Sequence, residues 1–428
     1  MVRKASASCL ASTCVLALAL CASESRAGAD AEAPADGTHS FTLSIDLRAV
    51  ASDGLTSYLE GGGGKLRFDA DHDGVRIGRI FLDYRGRLTD TLTARATINA
   101  YGDHDNNPVD VTEAYLDWRP FPAHGWRWHA KLGVFYPPVS LENRAAGWSS
   151  AYSLSSSAIN TWLGEEFRTI GAELTATWLG SQQEAWGDVS LIGGVYEYND
   201  DAGLLLSLRG WSINDRQTPL FGRLHFIPIF FLVPPPNAEF RPGFEFFHKI
   251  DNRPGYYAGL EWKRVDFITL RALHYDNRGD LRKFNYDFDW LTRYDSLGAR
   301  VELPRDWTVI GQWLRGDTSV GYIPSGVPQY YLDFDAWFAL LSRRSGAHRV
   351  TLRYDEFGTD QEAGAGFRNF DEGKAWTFAW LYDVNRHWQL ALESLWIDSQ
   401  LTGRVQLGEP VSAKERQVQL AVRYTLRN

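Results

Sequence analysis

The sequence predicts an all-β chain: a 16-stranded antiparallel transmembrane β-barrel with short periplasmic turns, long extracellular loops and a pore-constricting loop after the fifth strand. Three observations predict it. Apolar and polar residues alternate with period two through segment after segment, the pattern of a strand with two unlike faces. The links between those segments alternate between short and long, as in outer-membrane barrels. All three cysteines, Cys9, Cys14 and Cys21, lie in a leader-like start, so the rest of an exported chain is stable without disulfides. Beyond residue 27 no stretch approaches the ~18 apolar residues of a membrane-spanning helix. The 17 Trp, 19 Tyr and 23 Phe suit a wall that meets lipid on one side.

The elements follow in order. Residues 1–27 read as a secretory signal peptide: Arg3 and Lys4 precede an apolar core at 9–22, and Ser25, Arg26 and Ala27 form the cleavage site. A lipid-attachment reading of Cys21 fails on Leu20, where a small residue is needed. Residues 28–40 form a short periplasmic segment, and 41–428 the barrel. In the first strand Phe41, Leu43, Ile45 and Leu47 alternate with Thr42, Ser44, Asp46 and Arg48. The fifth alternates Trp126, Trp128, Ala130, Leu132 and Val134 with Arg127, His129, Lys131 and Gly133. The sixteen strands fall near 41–50, 75–88, 92–101, 111–119, 126–136, 167–178, 187–198, 255–264, 267–276, 291–303, 307–316, 331–343, 348–357, 375–384, 388–398 and 415–426. Short links follow the even-numbered strands. Long loops, including 51–74, 137–166, 199–254 and 358–374, follow odd-numbered ones. The last strand ends on Leu426 where such barrels usually carry an aromatic residue.

Charge narrows the function. Without residues 1–27, 44 basic and 53 acidic residues become 41 and 52, a balance of about −11. That excludes a nucleic-acid binder, which shows a basic patch or stripe. Charges such as Arg95 and Lys131 would be costly in a soluble core, but they stay solvated on a wet inner wall. The alternation turns Arg79, Arg95, Lys131, Arg271, Arg353 and Glu173 inward as pore-lining residues, with Arg353 facing water. Inward basic residues outnumber inward acids, so the wall is expected to favour anions. After the fifth strand, Pro137 and Pro138 break the ladder, because proline cannot donate its hydrogen bond. Residues 137–166 are expected to fold inward and narrow the pore, with Glu142, Arg144, Glu165 and Glu166 as their charges.

Residues 79–90 (RIFLDYRGRLTD) and 131–142 (KLGVFYPPVSLE) resemble the arginine-rich strand with its G-x-L-T-D turn and the G-x-F-x-x-P-x-x-L-E segment of the phosphate-selective porin O/P family. Residues 353–357 (RYDEF), 376 onward and 388–397 resemble its late strands. The resemblance implies a 16-stranded, trimeric, anion-preferring porin whose second motif starts the loop that folds into the pore. One departure concerns lysine. That family clusters lysines in its vestibule, whereas here only Lys65, Lys131, Lys249, Lys263, Lys283, Lys374 and Lys414 follow residue 27, and they are dispersed. The expected partners are outer-membrane lipid and lipopolysaccharide, small anionic or hydrophilic solutes and two further copies of the chain.

The remaining constellations read as structure. Residues 69–74 match half of a calcium loop, D-x-D-x-D-G, but position twelve is Ile80 instead of a bidentate Glu. A polar external loop is expected there, and a weak divalent site bridging lipopolysaccharide phosphates is the alternative. The ten histidines show no metal-ligand spacing, and no nucleophile elbow or Ser/His/acid set stands out, so no metal, cofactor or catalytic residue is expected. The apolar run 230–236 could plug the mouth, pack between subunits or cover the rim. Tryptophans such as Trp118, Trp126, Trp376, Trp388 and Trp396 are expected in interfacial girdles. The chain therefore reads as an outer-membrane porin of a Gram-negative bacterium. The alternatives are a structural or adhesion platform, and a non-selective or cation-selective pore.

Overall fold

The computed structural model describes residues 38–103, 108–229, 241–284, 287–321, 329–363 and 368–428. The expected signal peptide, most of the 28–40 segment and the run 230–236 lie outside them. Sixteen antiparallel strands close into one barrel. They are β1 (His39–Ser52), β2 (Gly74–Arg87), β3 (Leu92–Ala100), β4 (Val109–Trp118), β5 (Trp126–Phe135), β6 (Thr169–Trp178), β7 (Asp188–Glu197), β8 (Gly255–Arg264), β9 (Ile268–Asp276), β10 (Trp290–Leu303), β11 (Trp307–Val320), β12 (Tyr330–Ser345), β13 (His348–Ala363), β14 (Asp371–Asp383), β15 (Trp388–Leu401) and β16 (Ser412–Arg427). Each pairs with its neighbour in sequence. β1 closes on β16, with Leu43 opposite Leu426 and Leu47 opposite Val422. Two helices lie in loops, α1 (Ala158–Glu166) and α2 (Leu204–Arg209). No helix among the described residues is long and apolar enough to cross a membrane.

All sixteen expected strands are present. The short links gather at the end that carries both termini. The tightest, 346–347, joins the paired Ser345 and His348 in a two-residue hairpin whose first position, Gly346, holds φ at 58°. One expectation is corrected at the opposite end. Residues 358–374 are mostly strand, because β13 runs to Ala363 and β14 begins at Asp371. The acidic residues there look like loop by polarity, yet they continue the alternation: Asp360 and Glu372 point out while Thr359 and Asp371 are buried inside.

The outer wall carries the expected apolar band. At its loop-side edge an aromatic row crosses five strands: Trp313 pairs with Trp337, and Tyr354 with Trp376, which pairs with Trp396. The ring centroids of Trp337 and Tyr354 lie 5.3 Å apart. At the other edge Trp388 and Tyr424 are 4.9 Å apart, and Trp118, Trp126 and Trp128 are exposed on the outside. Two such rows are the aromatic belts of a membrane wall.

The inner wall is divided, which the alternation alone does not show. From β9 to β14 it carries an apolar patch, with Tyr275, Tyr294, Leu314, Phe334, Phe338 and Phe357 buried inside. On β16 and β1 to β5 it is polar and charged. The apolar sector receives α1, whose Trp162 meets Phe334 at 5.1 Å and Tyr294 at 5.8 Å. The open side of the lumen therefore lies along the charged sector.

Leu420 points to lipid midway between Tyr424 and the charged Arg416, and it is 51% exposed. Leu420→Arg is expected to cost roughly 2–4 kcal/mol of folding free energy, the range for arginine at the bilayer midplane. Urea titration of barrel folding into liposomes, followed by heat-modifiable gel migration, checks this.

Candidate functional site

The candidate site is the constriction between the charged wall and the inward loops. Residues 137–166 do fold into the barrel. Arg271 starts the turn: its Nη1 donates to the carbonyl oxygens of Pro138 (2.8 Å) and Ser140 (3.2 Å), while its other nitrogens bind Glu261. Arg353 anchors the middle. Its Nη1 donates to Glu142 at 2.8 Å and its Nε to Asp355 at 2.8 Å. The same guanidinium donates to the carbonyls of Ser155 and Ser156, both at 2.9 Å. Glu393 caps the same stretch, accepting from the backbone nitrogens of Leu154 (2.7 Å) and Ser155 (3.0 Å).

This corrects the expectation for Arg353. It points inward, but its side chain is 0% exposed, so it is a clamp under the loop and does not face water. A buried guanidinium is tolerable because carboxylates and carbonyls fill its donor positions. The loop charges are likewise turned to packing. Glu165 accepts from the Tyr58 hydroxyl at 2.7 Å and pairs with Arg209. Glu166 accepts from Leu205 N at 3.0 Å and from the Trp162 indole. Only Arg144 of the four is exposed. The remaining wall residues are paired as well: Arg95 with Asp117 at 2.8 Å, and Lys131 with Glu173 at 3.0 Å.

Arg79 differs. Its Nε donates to Asn99 Oδ1 at 2.7 Å and its Nη2 to the Gly147 carbonyl at 2.5 Å, both neutral acceptors. Gly147 can turn its carbonyl there because it holds φ at +66°. Arg79 lies where two adjoining hollows meet. They share Arg79, Ser149, Ser150, Leu154 and Asp215 as lining, and the first is completed by Asp46, Arg48 and Arg423 of the wall.

Asp215 and Arg48 belong to a feature the sequence reading missed. Arginines and aspartates alternate in one chain of ion pairs. Arg423 meets Asp46 at 3.0 Å, and Asp46 meets Arg48 at 3.0 Å. Arg48 meets Asp215 at 2.5 Å, and Asp215 meets Arg67 at 2.9 Å. Arg67 meets Asp103 at 3.0 Å, and Asp103 meets Arg216 at 3.4 Å. Room for Arg48 comes from the bulge in β2, where a Cβ on Gly78 would stand 2.2 Å from its Nε. Burial pushes the Asp215 carboxyl up, but the Arg48 and Arg67 guanidinium groups outweigh it and hold it well below the usual range. No signal in the local sequence joins these residues, which come from two strands and three loops.

The half calcium loop is occupied by its own backbone. Asp69 Oδ1 accepts from Asp71 N at 3.0 Å and His72 N at 2.9 Å, and Asp69 Oδ2 accepts from Ser57 N at 2.8 Å. Among the described residues no group of His, Cys, Asp or Glu is arranged to hold a metal ion.

No protein-family model and no curated protein matches the chain. The likeness to the phosphate-selective family thus rests on its short motifs. Solved structures share the fold. The outer membrane channel DcaP of Acinetobacter baumannii is 11% identical over 91% of this chain and 96% of its own, with a TM-score of 0.52. An anion-selective porin from Comamonas acidovorans is 11% identical over 91% of this chain and 99% of its own, at 0.51. OmpF of Salmonella typhi, in complex with daunomycin, is 11% identical over 90% and 97%, at 0.51. The chain has the 16-stranded barrel fold of outer-membrane porins.

Two outcomes follow. Arg353→Leu leaves Glu142 and Asp355 buried without their cation, a change worth about 3–5 kcal/mol. Limited proteolysis should cut the 137–166 loop at lower denaturant than in the wild type. Burial pushes the Glu166 carboxyl up to about 8 from the usual 4.5. Between those values the folded state holds a proton that the unfolded state releases, so loop packing weakens as pH rises through that window. Glu166→Gln should flatten the pH dependence of loop cleavage.

Proposed function

We propose that the protein is an outer-membrane porin that passes small hydrophilic solutes down their gradient, with a modest preference for phosphate-like anions. The observation that carries the reading is Arg79. It stands between wall and loop, and its hydrogen bonds go to neutral acceptors, with the Asp215 carboxylate sharing its hollows without a hydrogen bond to it. The alternating chain beside it brings Arg423, Arg48, Arg67 and Arg216 to the same region, interleaved with aspartates. A cation in a narrow, partly desolvated passage raises the local concentration of anions. The arginine fork also matches oxyanion geometry.

The surroundings fit that role. The aromatic belts match a lipid bilayer. Above the loop-side row, outward Arg293, Arg315, Lys374, Lys414 and Arg416 stand at the height of lipopolysaccharide phosphates. The loop-side aromatic row stops short of β1 to β7, where outward positions are small or aliphatic, such as Ala49, Ile98 and Val134. That sector suits contact with two further copies in a homotrimer.

Purified protein in a planar bilayer should conduct, and its reversal potential in a salt gradient should lie on the anion side. Arg79→Gln should move that potential toward cations. A folded barrel that does not conduct would overturn the channel reading in favour of a structural or adhesion platform. A wild-type pore that prefers cations would overturn its sign.

A further inference from the structure

In the loop between β7 and β8, residues 211–217 lie in the lumen beside the β5–β6 loop. Trp211 and Ile213 are each 1% exposed, and the Trp211 backbone nitrogen donates to Asp371 on the β14 wall at 2.8 Å. The segment then runs along the hollow. Asn214 Nδ2 reaches Glu165 at 3.3 Å, and Gln217 Nε2 donates to the carbonyls of Gly147 and Trp148, both at 3.0 Å. Between them Asp215 reaches across to the wall.

Its position decides the local charge. Among the described residues Asp215 is the link in the alternating chain that joins the wall pair Arg48–Asp46 to the loop pair Arg67–Asp103. It is also the carboxylate that both hollows share with Arg79. Asp46 lines only the first hollow, and Asp103 lines neither. The carboxylate common to both hollows is therefore supplied by a loop, not by the barrel.

We propose that residues 211–217 form a second constriction segment and that Asp215 is a specificity-determining residue, which partly cancels the wall arginines and limits the pore's discrimination between small inorganic anions and cations. The inference rests on the channel reading above. With Asp215 in place, Arg48 and Arg67 share its carboxylate and each has a second one, Asp46 or Asp103. Without its charge each guanidinium keeps one carboxylate, and one negative charge is gone from the hollows that Arg79 lines. The balance there shifts toward attracting anions and repelling cations.

The test is the reversal potential of the purified full chain in a potassium chloride gradient, with single-channel conductance read from the same membranes. Asp215→Asn should raise the anion-to-cation permeability ratio by about two-fold or more, with conductance changed less than that. Arg67→Gln should move the ratio the other way, and Asp215→Glu should restore the wild-type value. An unchanged ratio in Asp215→Asn overturns the proposal. So does a several-fold rise in conductance with a ratio nearer unity, because Asp215 would then be only a clip that holds the loop inside. If Asp215→Asn does not give a heat-modifiable barrel, Arg67→Gln decides alone: a ratio that does not fall overturns the proposal. Wild-type protein that does not conduct would count against the channel reading itself and is distinguished by that control.

Discussion

Closure of the backbone ladder between β1 and β16 is the constraint on which the rest of the structure depends. In a bilayer every peptide group must find its partner within the protein, and a closed barrel meets that demand with no free edge. Sixteen strands, however, enclose more space than wall side chains can fill. The interior must then hold water, loops or both. This chain uses loops on one side and leaves polar space on the other. The choice is written in the inner faces. Phe334, Phe338 and Phe357 require a covering, and α1 with the 211–217 segment supplies it. Arg48, Arg79 and Arg423 require water or counter-charges, and the hollow forms beside them.

Filling a barrel with loops creates a second problem, since loop backbone carries polar groups that lack a ladder. Wall side chains answer it. Arg353 accepts no bond but offers donors to two loop carbonyls, while Glu393 offers acceptors to two loop nitrogens. Arg271 serves the carbonyls of Pro138 and Ser140 in the same way. Charged residues on an inner wall thus have two separate uses. Some line the hollows beside the loops. Others are buried and replace the missing half of a hydrogen-bond ladder.

That division explains what the sequence made legible. Period two gave all sixteen strands, their facing and the segregation of loop lengths, because each depends on neighbours in sequence. The inward fold of 137–166 was legible from Pro137 and Pro138. The difference between Arg79 and Arg353 was not, since both read as inward arginines on alternating strands. What separates them is Glu142, 211 residues from Arg353 in sequence. A signal for the apolar inner sector was present. β12 carries Leu332, Phe334, Ala336, Phe338 and Leu340 inside, and Trp337, Ala339 and Leu341 outside, so it is apolar on both faces. A wet lumen does not ask that of a strand, and a covered one does. The role of Asp215 left no comparable trace, because its partners come from β1 and from the β1–β2 loop.

Net charge is the property that transfers least well from sequence to function here. The chain beyond residue 27 balances at about −11, yet the hollow beside the inner wall gathers Arg48, Arg79 and Arg423. The two facts are compatible because fields act over short distances: at physiological salt a surface charge is screened within about 8 Å, whereas a charge in a narrow, low-dielectric passage is screened far less. Acids on the outer rim, such as Asp295, Asp335 and Asp398, lie on the far side of the wall from any solute in the lumen. In the proposed channel, the few charges at contact distance from a solute would therefore outweigh the many that it passes. Among those few, Arg79 is held by a strand and a glycine carbonyl, and Asp215 by a loop. Under the proposed reading, the barrel fixes the positive charge and the loop sets how much of it is cancelled.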